Sequence, residues 1–331
     1  MDTRPSPLPD TEPVTGSSPV RARPAVRRFL HREPLLPADL CMPLLVRRGE
    51  AASPVPTVTL DQVGATVREL AGLGVGAVKI FAEGTRDENG GDAASAAAPL
   101  IHAIQAAKDA APDLAVMTET CLCSYTAARV CVLTDDHGRY DHAATLNVLG
   151  EQALRQAEAG ADILGPAAMV DGLTGRVRDV LDAAGYRDVA LMPHLIMTSR
   201  MYDGYRAAMN AAPKGNRAAF QVHPSRPEQA VQVARRMVEE GADMILLEPA
   251  LHTIDLLARL VADDQVSVPL VPFCVSGEWA QLTHSGTRLP VDYMADLIER
   301  LTMYRRSGAA AVISYSAPEA ARELVQIPHP R

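Results

Sequence analysis

The chain has 331 residues, 47% of them hydrophobic, and a formal net charge of −8, which describes a globular protein large enough to bury a substantial core. An acidic balance with 4 Phe, 8 Tyr and 1 Trp argues against nucleic acid as the main partner, and no apolar run approaches the roughly 20 residues that span a bilayer. The N-terminus lacks the basic, apolar and small-residue order of a signal peptide, so a cytoplasmic address with no membrane partner is expected.

Residues 1 to 24, "MDTRPSPLPDTEPVTGSSPVRARP", are rich in Pro, Ser and Thr with almost no large apolar side chains, so they cannot offset the entropy of ordering. The following stretch, "AVRRFLHREPLLPADL", carries apolar and arginine side chains but has no room for a core of its own. We read residues 1–38 as a flexible Pro-rich tail and N-terminal arm that packs on a neighbouring subunit, and residues 39–331 as one catalytic domain.

Eight short apolar runs then alternate with segments of helical period. They are "LCMPLLV" (40–46), "AVKIF" (77–81), "LAVMTET" (114–120), "ADILGPA" (161–167), "VALMPHL" (189–195), "ADMILLEP" (242–249), "VPLVPFCV" (268–275) and "AAVISYS" (310–316). Several intervening helix candidates, such as "PEQAVQVARRMVEEG", end in the glycine that closes a helix. Strands buried on both faces and joined by helices form a parallel sheet, and eight in succession predict an α/β fold, a closed (β/α)8 TIM barrel with an extended N-terminal arm. A doubly wound open sheet is the alternative, but no Gly-rich phosphate fingerprint opens any of the helices.

In such a barrel chemistry sits where strands end and loops begin. The third run ends in "ETCLCSY" (119–125), with Cys131 close behind. If the segment is extended, Cys121 and Cys123 share a face, and a short loop can return Cys131 to them. Three thiolates with an open position suit zinc that holds a water or substrate. The C-x-C-x7-C spacing is not a common zinc-finger pattern, and buried free thiols explain it equally well. The five cysteines are odd in number and spread through a long chain, which points to reduced thiols rather than a disulfide framework.

The run "TETCLCSYT" followed by Cys131 resembles the metal-binding stretch of the zinc-dependent porphobilinogen synthase (5-aminolaevulinate dehydratase) family. "AGADILGPAAMVDG" (159–172), "EGADMILLEPAL" (240–251), "VSGEWA" (275–280) and "GAAAVISYSAPEAA" (308–321) follow in the family's order. The resemblance implies a barrel with an arm embracing a neighbour, a homo-oligomer of dimers assembling into rings, and condensation of two 5-aminolaevulinate molecules to a pyrrole with loss of water. It also implies a Zn2+ cofactor on Cys121, Cys123 and Cys131. Ser276 and Tyr315 match the pair that holds a substrate carboxylate, so a small carboxylate-bearing substrate is expected. Arg217 and Gln221 match the lid over the pocket, and Arg206 matches another lid arginine to within one residue.

The family's two imine-forming lysines are missing. Met197 meets the first and Glu248 the second, and sliding the first match by one residue gives Ile196. Only Lys79, Lys108 and Lys214 remain among 32 basic residues. Lys108 falls on a helix and Lys214 on the lid, whereas Lys79, on the second run, can project inward either as a relocated nucleophile or as an ion-paired structural lysine. Glu119 replaces the family's aspartate, Ala167 and Ala168 replace a Ser-Asp pair, and His194 and His252 stand where the family has other residues. A carboxylate at the end of an apolar strand needs a partner. Glu248, with His194 or His252 and with Glu119, is therefore a candidate acid–base group, or a structural ion pair. Three functions remain open: a diverged zinc enzyme catalysing a dehydration, condensation or lyase step on a small amino or keto acid, a genuine porphobilinogen synthase, and a non-catalytic ligand-binding or regulatory homologue.

Overall fold

The computed structural model describes residues 35–49, 52–212, 220–284 and 292–326. Most of the arm expected over residues 1–38 lies outside the described residues, as do Lys214 and Arg217.

Each of the eight apolar runs is a strand of one parallel barrel. The strands are β1 (Leu40–Arg47), β2 (Ala77–Ala82), β3 (Ala115–Thr118), β4 (Ile163–Leu164), β5 in two segments (Ala190–Leu191 and His194–Ile196), β6 (Ile245–Glu248), β7 (Leu270–Cys274) and β8 (Val312–Ser314). Helices follow the strands and cover the outside, among them Val63–Gly72, Pro99–Ala110, His142–Glu158, Leu173–Ala184, Pro227–Glu239 and Tyr293–Arg306. β1 pairs with β2 through Cys41 and Ala77 and with β8 through Leu40 and Val312. The ring closes on β5, whose first segment pairs with β4 (Ile163 with Ala190) and whose second pairs with β6 (Leu246 with His194). Pro193 divides the two segments because it has no N–H to give the ladder, though its carbonyl still accepts from Leu246 N. Among the described residues no helix is long and apolar enough to cross a membrane.

The pleat sends alternate residues to opposite sides of each strand, and the two sides form two cores. Leu40, Leu44 and Val46 of β1, Val78 and Ile80 of β2, and Ile245 and Leu247 of β6 pack outward under the helices. Cys41 and Leu45, Phe81, Met117, Leu246, Phe273 and Ile313 fill the barrel interior. Because both faces are buried, each strand reads as a continuous apolar run with no polar alternation.

Candidate active site

The inward columns of the strands run up to the C-terminal mouth, and each ends in a side chain able to do chemistry or to shape a cavity. On β2 the column is Lys79 then Phe81, on β3 Met117 then Glu119, and on β5 His194 then Ile196. On β6 it is Leu246 then Glu248, on β7 Phe273 then Val275, and on β8 Ile313 then Tyr315. All of these terminal residues, together with the three cysteines, line one cavity at the mouth. Two residues per pleat therefore decide which polar groups meet inside, long before any loop is considered.

The cysteine wall follows β3. Thr120 pairs with Pro166 in an isolated bridge, with Thr120 N donating to Gly165 O at 2.9 Å and Ala167 N donating to Thr120 O at 3.1 Å. Residues 121–126 are not the extended segment expected: the Leu122 carbonyl accepts from both Tyr125 N and Thr126 N, which folds them into a turn. Arg129, at φ 58°, and reciprocal bonds between the Thr126 hydroxyl and the Val130 backbone then bring the chain back. The Sγ atoms of Cys121, Cys123 and Cys131 lie within 4.8 Å of one another, and those of Cys121 and Cys131 are 3.3 Å apart. Crowding by the other two thiols, ahead of burial, pushes the Cys121 thiol well above its ordinary value. Three converging thiols with Zn–S bonds of about 2.3 Å would sit about 3.8 Å apart around a tetrahedral ion, so this cluster could hold a metal.

One helix side chain ties this wall to the barrel. Gln156, fully buried on the helix His142–Glu158, accepts from the Thr118 and Thr120 hydroxyls at 2.9 and 2.7 Å and donates to Glu119 O at 3.1 Å. One turn earlier, Gln152 donates to Cys121 O at 3.3 Å.

In the same cavity, Nδ1 of His194 lies 3.0 Å from Oε1 of Glu248, and their side chains are 1% and 8% exposed. Burial pushes the Glu248 carboxyl up to about 7, opposed by the charges of Lys79 and Arg206. Burial first, then the Lys79 charge, drives His194 well below its ordinary value, so the imidazole is neutral. Glu119 accepts from the Tyr205 hydroxyl at 3.2 Å.

The rim holds the expected carboxylate-binding positions, in unequal states. Tyr315 is buried, and its hydroxyl has no hydrogen-bond partner among the described residues. Ser276 is already engaged, accepting from Tyr205 N at 2.9 Å and donating to Met201 O at 3.0 Å. Arg206, on the short helix Asp203–Ala208, pairs with Asp203 at 3.2 Å and stacks over Tyr202 at 5.3 Å from the ring centroid. Gln221 lines the cavity, while Arg217 lies outside the described residues.

One expectation fails, and one open alternative is decided. His252 is exposed on the turn Leu251–Thr253 and does not line the cavity. The turn is fixed by its neighbours: Thr253 Oγ1 donates to Pro249 O at 2.8 Å, and the Ala250 and Leu251 amides donate to Glu278, which leaves His252 facing out. Met197, matched to a family lysine, points outward into the helix-side core; Ile196 beside it faces the cavity and is in register with Glu248. The two positions that would carry amines are thus one contiguous patch, now aliphatic and acidic.

The sequence reading missed the aromatic lining. Phe81, Tyr202, Tyr205, Phe220 and Phe273 join the expected Tyr315 in lining the cavity, with Phe81 and Tyr205 edge to face at 5.3 Å. In a chain with so few aromatic residues, their recurrence at strand ends and in "MYDGYR" was the available signal.

The model of the delta-aminolevulinic acid dehydratase family matches residues 17–323. Delta-aminolevulinic acid dehydratase of Halalkalibacterium halodurans is 32% identical over 315 residues, covering 92% of this chain and 95% of the relative. That of Streptomyces coelicolor is 31% identical over 324 residues, covering 93% and 97%. A crystal structure of delta-aminolevulinic acid dehydratase (porphobilinogen synthase) from Toxoplasma gondii ME49, in complex with the reaction product porphobilinogen, superposes with a TM-score of 0.87 at 28% identity, covering 94% of this chain and 92% of that one.

Proposed function

The chain belongs to the delta-aminolevulinic acid dehydratase family, and from that premise we propose that it is a zinc-dependent lyase diverged from the parent reaction. It catalyses a dehydration, condensation or cleavage step on a small amino or keto carboxylic acid without an imine at the family's two lysine positions. The observation that carries this reading is the pairing of Glu248 with His194, in the same cavity as the three cysteines, where an amine would otherwise stand. Such a carboxyl, lifted by burial to about 7, exchanges protons near neutrality and serves as a general acid or base.

The residues divide the work by position. Glu248 holds or moves the proton of the substrate carbon or leaving group, with His194 Nδ1 fixing its carboxyl plane. Tyr315, whose hydroxyl has no partner among the described residues, and Arg206 receive a substrate carboxylate. Ser276 shapes that subsite by holding Tyr205 and Met201. The aromatic lining excludes water and strengthens each of these interactions. When bound on Cys121, Cys123 and Cys131, zinc supplies Lewis acidity that polarises a carbonyl or activates a water.

The full reading includes a homo-oligomer formed through the arm within residues 1–38, and a cytoplasmic address. Retention of the parent reaction is the second reading, favoured by the match over nearly the whole chain. A pyrrole assay with 5-aminolaevulinate and added zinc separates the two. The proposal expects bound zinc and no pyrrole; pyrrole formation at a rate typical of an enzyme overturns it. Zinc bound with no turnover of any small keto or amino acid would favour a ligand-binding homologue.

A further inference from the structure

Lys79 has no part in the reading above, yet it is a fully buried cation in the middle of the cavity's acid–base groups. Its Nζ donates to Thr118 O at 2.5 Å and lies 5.4 Å from the centroid of Phe81. It is not among the residues that line the cavity and its Nζ is held by a backbone carbonyl, which fits a positioning role better than a relocated amine nucleophile.

Its surroundings describe a different role. A Cβ built on Gly165 would lie 2.7 Å from Lys79 Nζ and 2.8 Å from His194 Nε2, so both nitrogens converge on one point, kept clear by the missing side chain. Nε2 is buried and has no hydrogen-bond partner among the described residues, while Nδ1 of the same ring faces Glu248. We propose that Lys79 is a positioning residue that sets the tautomer of His194: its ammonium faces Nε2 and keeps that nitrogen bare, leaving the proton on Nδ1 to be donated to Glu248. The inference rests on the acid–base reading of Glu248 and deepens it.

Electrostatics disfavours the alternatives. An imidazolium would put a second positive charge next to the ammonium, away from water. The opposite tautomer would aim an N–H at the ammonium in either state of Glu248, and against the ionised carboxylate it would also set two acceptors in contact. With the proton on Nδ1, that nitrogen donates to Glu248 and the bare Nε2 faces a positive charge without a hydrogen bond. Other groups act on this line from the surrounding elements: Cys41 from β1, Glu119 and Cys123 from the end of β3, and Arg206 from above. Burial lowers Lys79 to about 8, with Glu119, Cys41 and Glu248 opposing the fall. The ammonium therefore predominates at neutral pH.

The test is nitrogen NMR of the metal-loaded protein carrying 15N-histidine, with His194→Gln identifying the signal. At pH 7 the wild-type ring is expected to be neutral with its proton on Nδ1. Lys79→Arg is expected to keep that pattern, and Lys79→Met to lose it, through protonation of the ring or mixing of tautomers. A proton on Nε2 in the wild type, or an unchanged tautomer in a folded Lys79→Met protein, overturns the proposal. If Lys79→Met does not fold, the wild-type tautomer alone decides. The readout needs no turnover. Loss of the acid–base reading would instead show as full activity in Glu248→Gln, with the His194 tautomer still assigned as proposed.

Discussion

Replacing Glu248 by Gln separates what this residue does for stability from what it does for chemistry. Burial raises its carboxyl from 4.5 to about 7 in the folded protein, so the native state binds this proton more tightly than the unfolded chain does. Stability from this group is therefore greatest below pH 4.5 and is lost as pH rises through about 7. A displacement of that size corresponds to about 3 kcal/mol, and at 6% exposure solvent screening removes little of it. Glutamine keeps the shape, can still accept from His194 Nδ1 and never ionises. Urea unfolding of both proteins at one protein concentration should show Glu248→Gln more stable by about 2–3 kcal/mol at pH 8, with the gain shrinking toward zero at pH 5. Glu119 and Glu278 are raised partly by the Glu248 charge and relax when it is removed, while Lys79 loses part of its support, so these smaller responses of opposite sign ride on the main difference. If the variant is no more stable at pH 8, or if the gain is the same at both pH values, the assignment of a strained carboxyl fails. A residue that lowers stability at working pH and remains in place is one that function retains.

Cys131→Ser should lower the zinc content of purified protein well below that of the wild type, as read by metal analysis, since two thiols and a hydroxyl hold the ion poorly. In Gly165→Ala the added methyl would lie 2.6 Å from Thr118 O, a backbone atom that cannot swing aside; a loss of roughly 1–3 kcal/mol is expected, and an unchanged melting temperature would contradict the close approach. Gln156→Leu strips partners from two buried hydroxyls and the Glu119 carbonyl, for a cost of at least about 2 kcal/mol. It should also reduce metal content, because the cysteine turn hangs from the same strand end; intact metal binding in a destabilised variant would show that the turn holds itself.

The barrel was legible because its physics is one-dimensional: a strand buried on both faces leaves an apolar run, and eight runs appear in "LCMPLLV" through "AAVISYS". The inward direction of Lys79, Glu119, Glu248 and Tyr315 follows from the same two-residue pleat. What could not be read depends on contacts distant in sequence. The turn at 121–126 is set by where Gln152, Gln156 and the Thr120–Pro166 bridge hold its ends, and nothing in "CLCSYT" announces it. His252 faces outward because Glu278, nearly 30 residues on, grips the amides before it. Met197 and Ile196 exchange roles because strand register, and not similarity to relatives, decides which of two adjacent side chains enters the barrel.

The cysteine turn hangs from β3 and is braced by the helix His142–Glu158, whereas Glu248, His194 and Ile196 belong to β5 and β6. The two assemblies meet along the backbone at β4, where Pro166, bridged to Thr120, accepts from His194 N at 2.9 Å. A lineage could exchange the side chains at 196 and 248 while leaving that main-chain seam, and the cysteine wall beyond it, in place. In that sense the barrel joins two half-sites through main chain alone, a seam that side-chain exchange on one wall does not disturb.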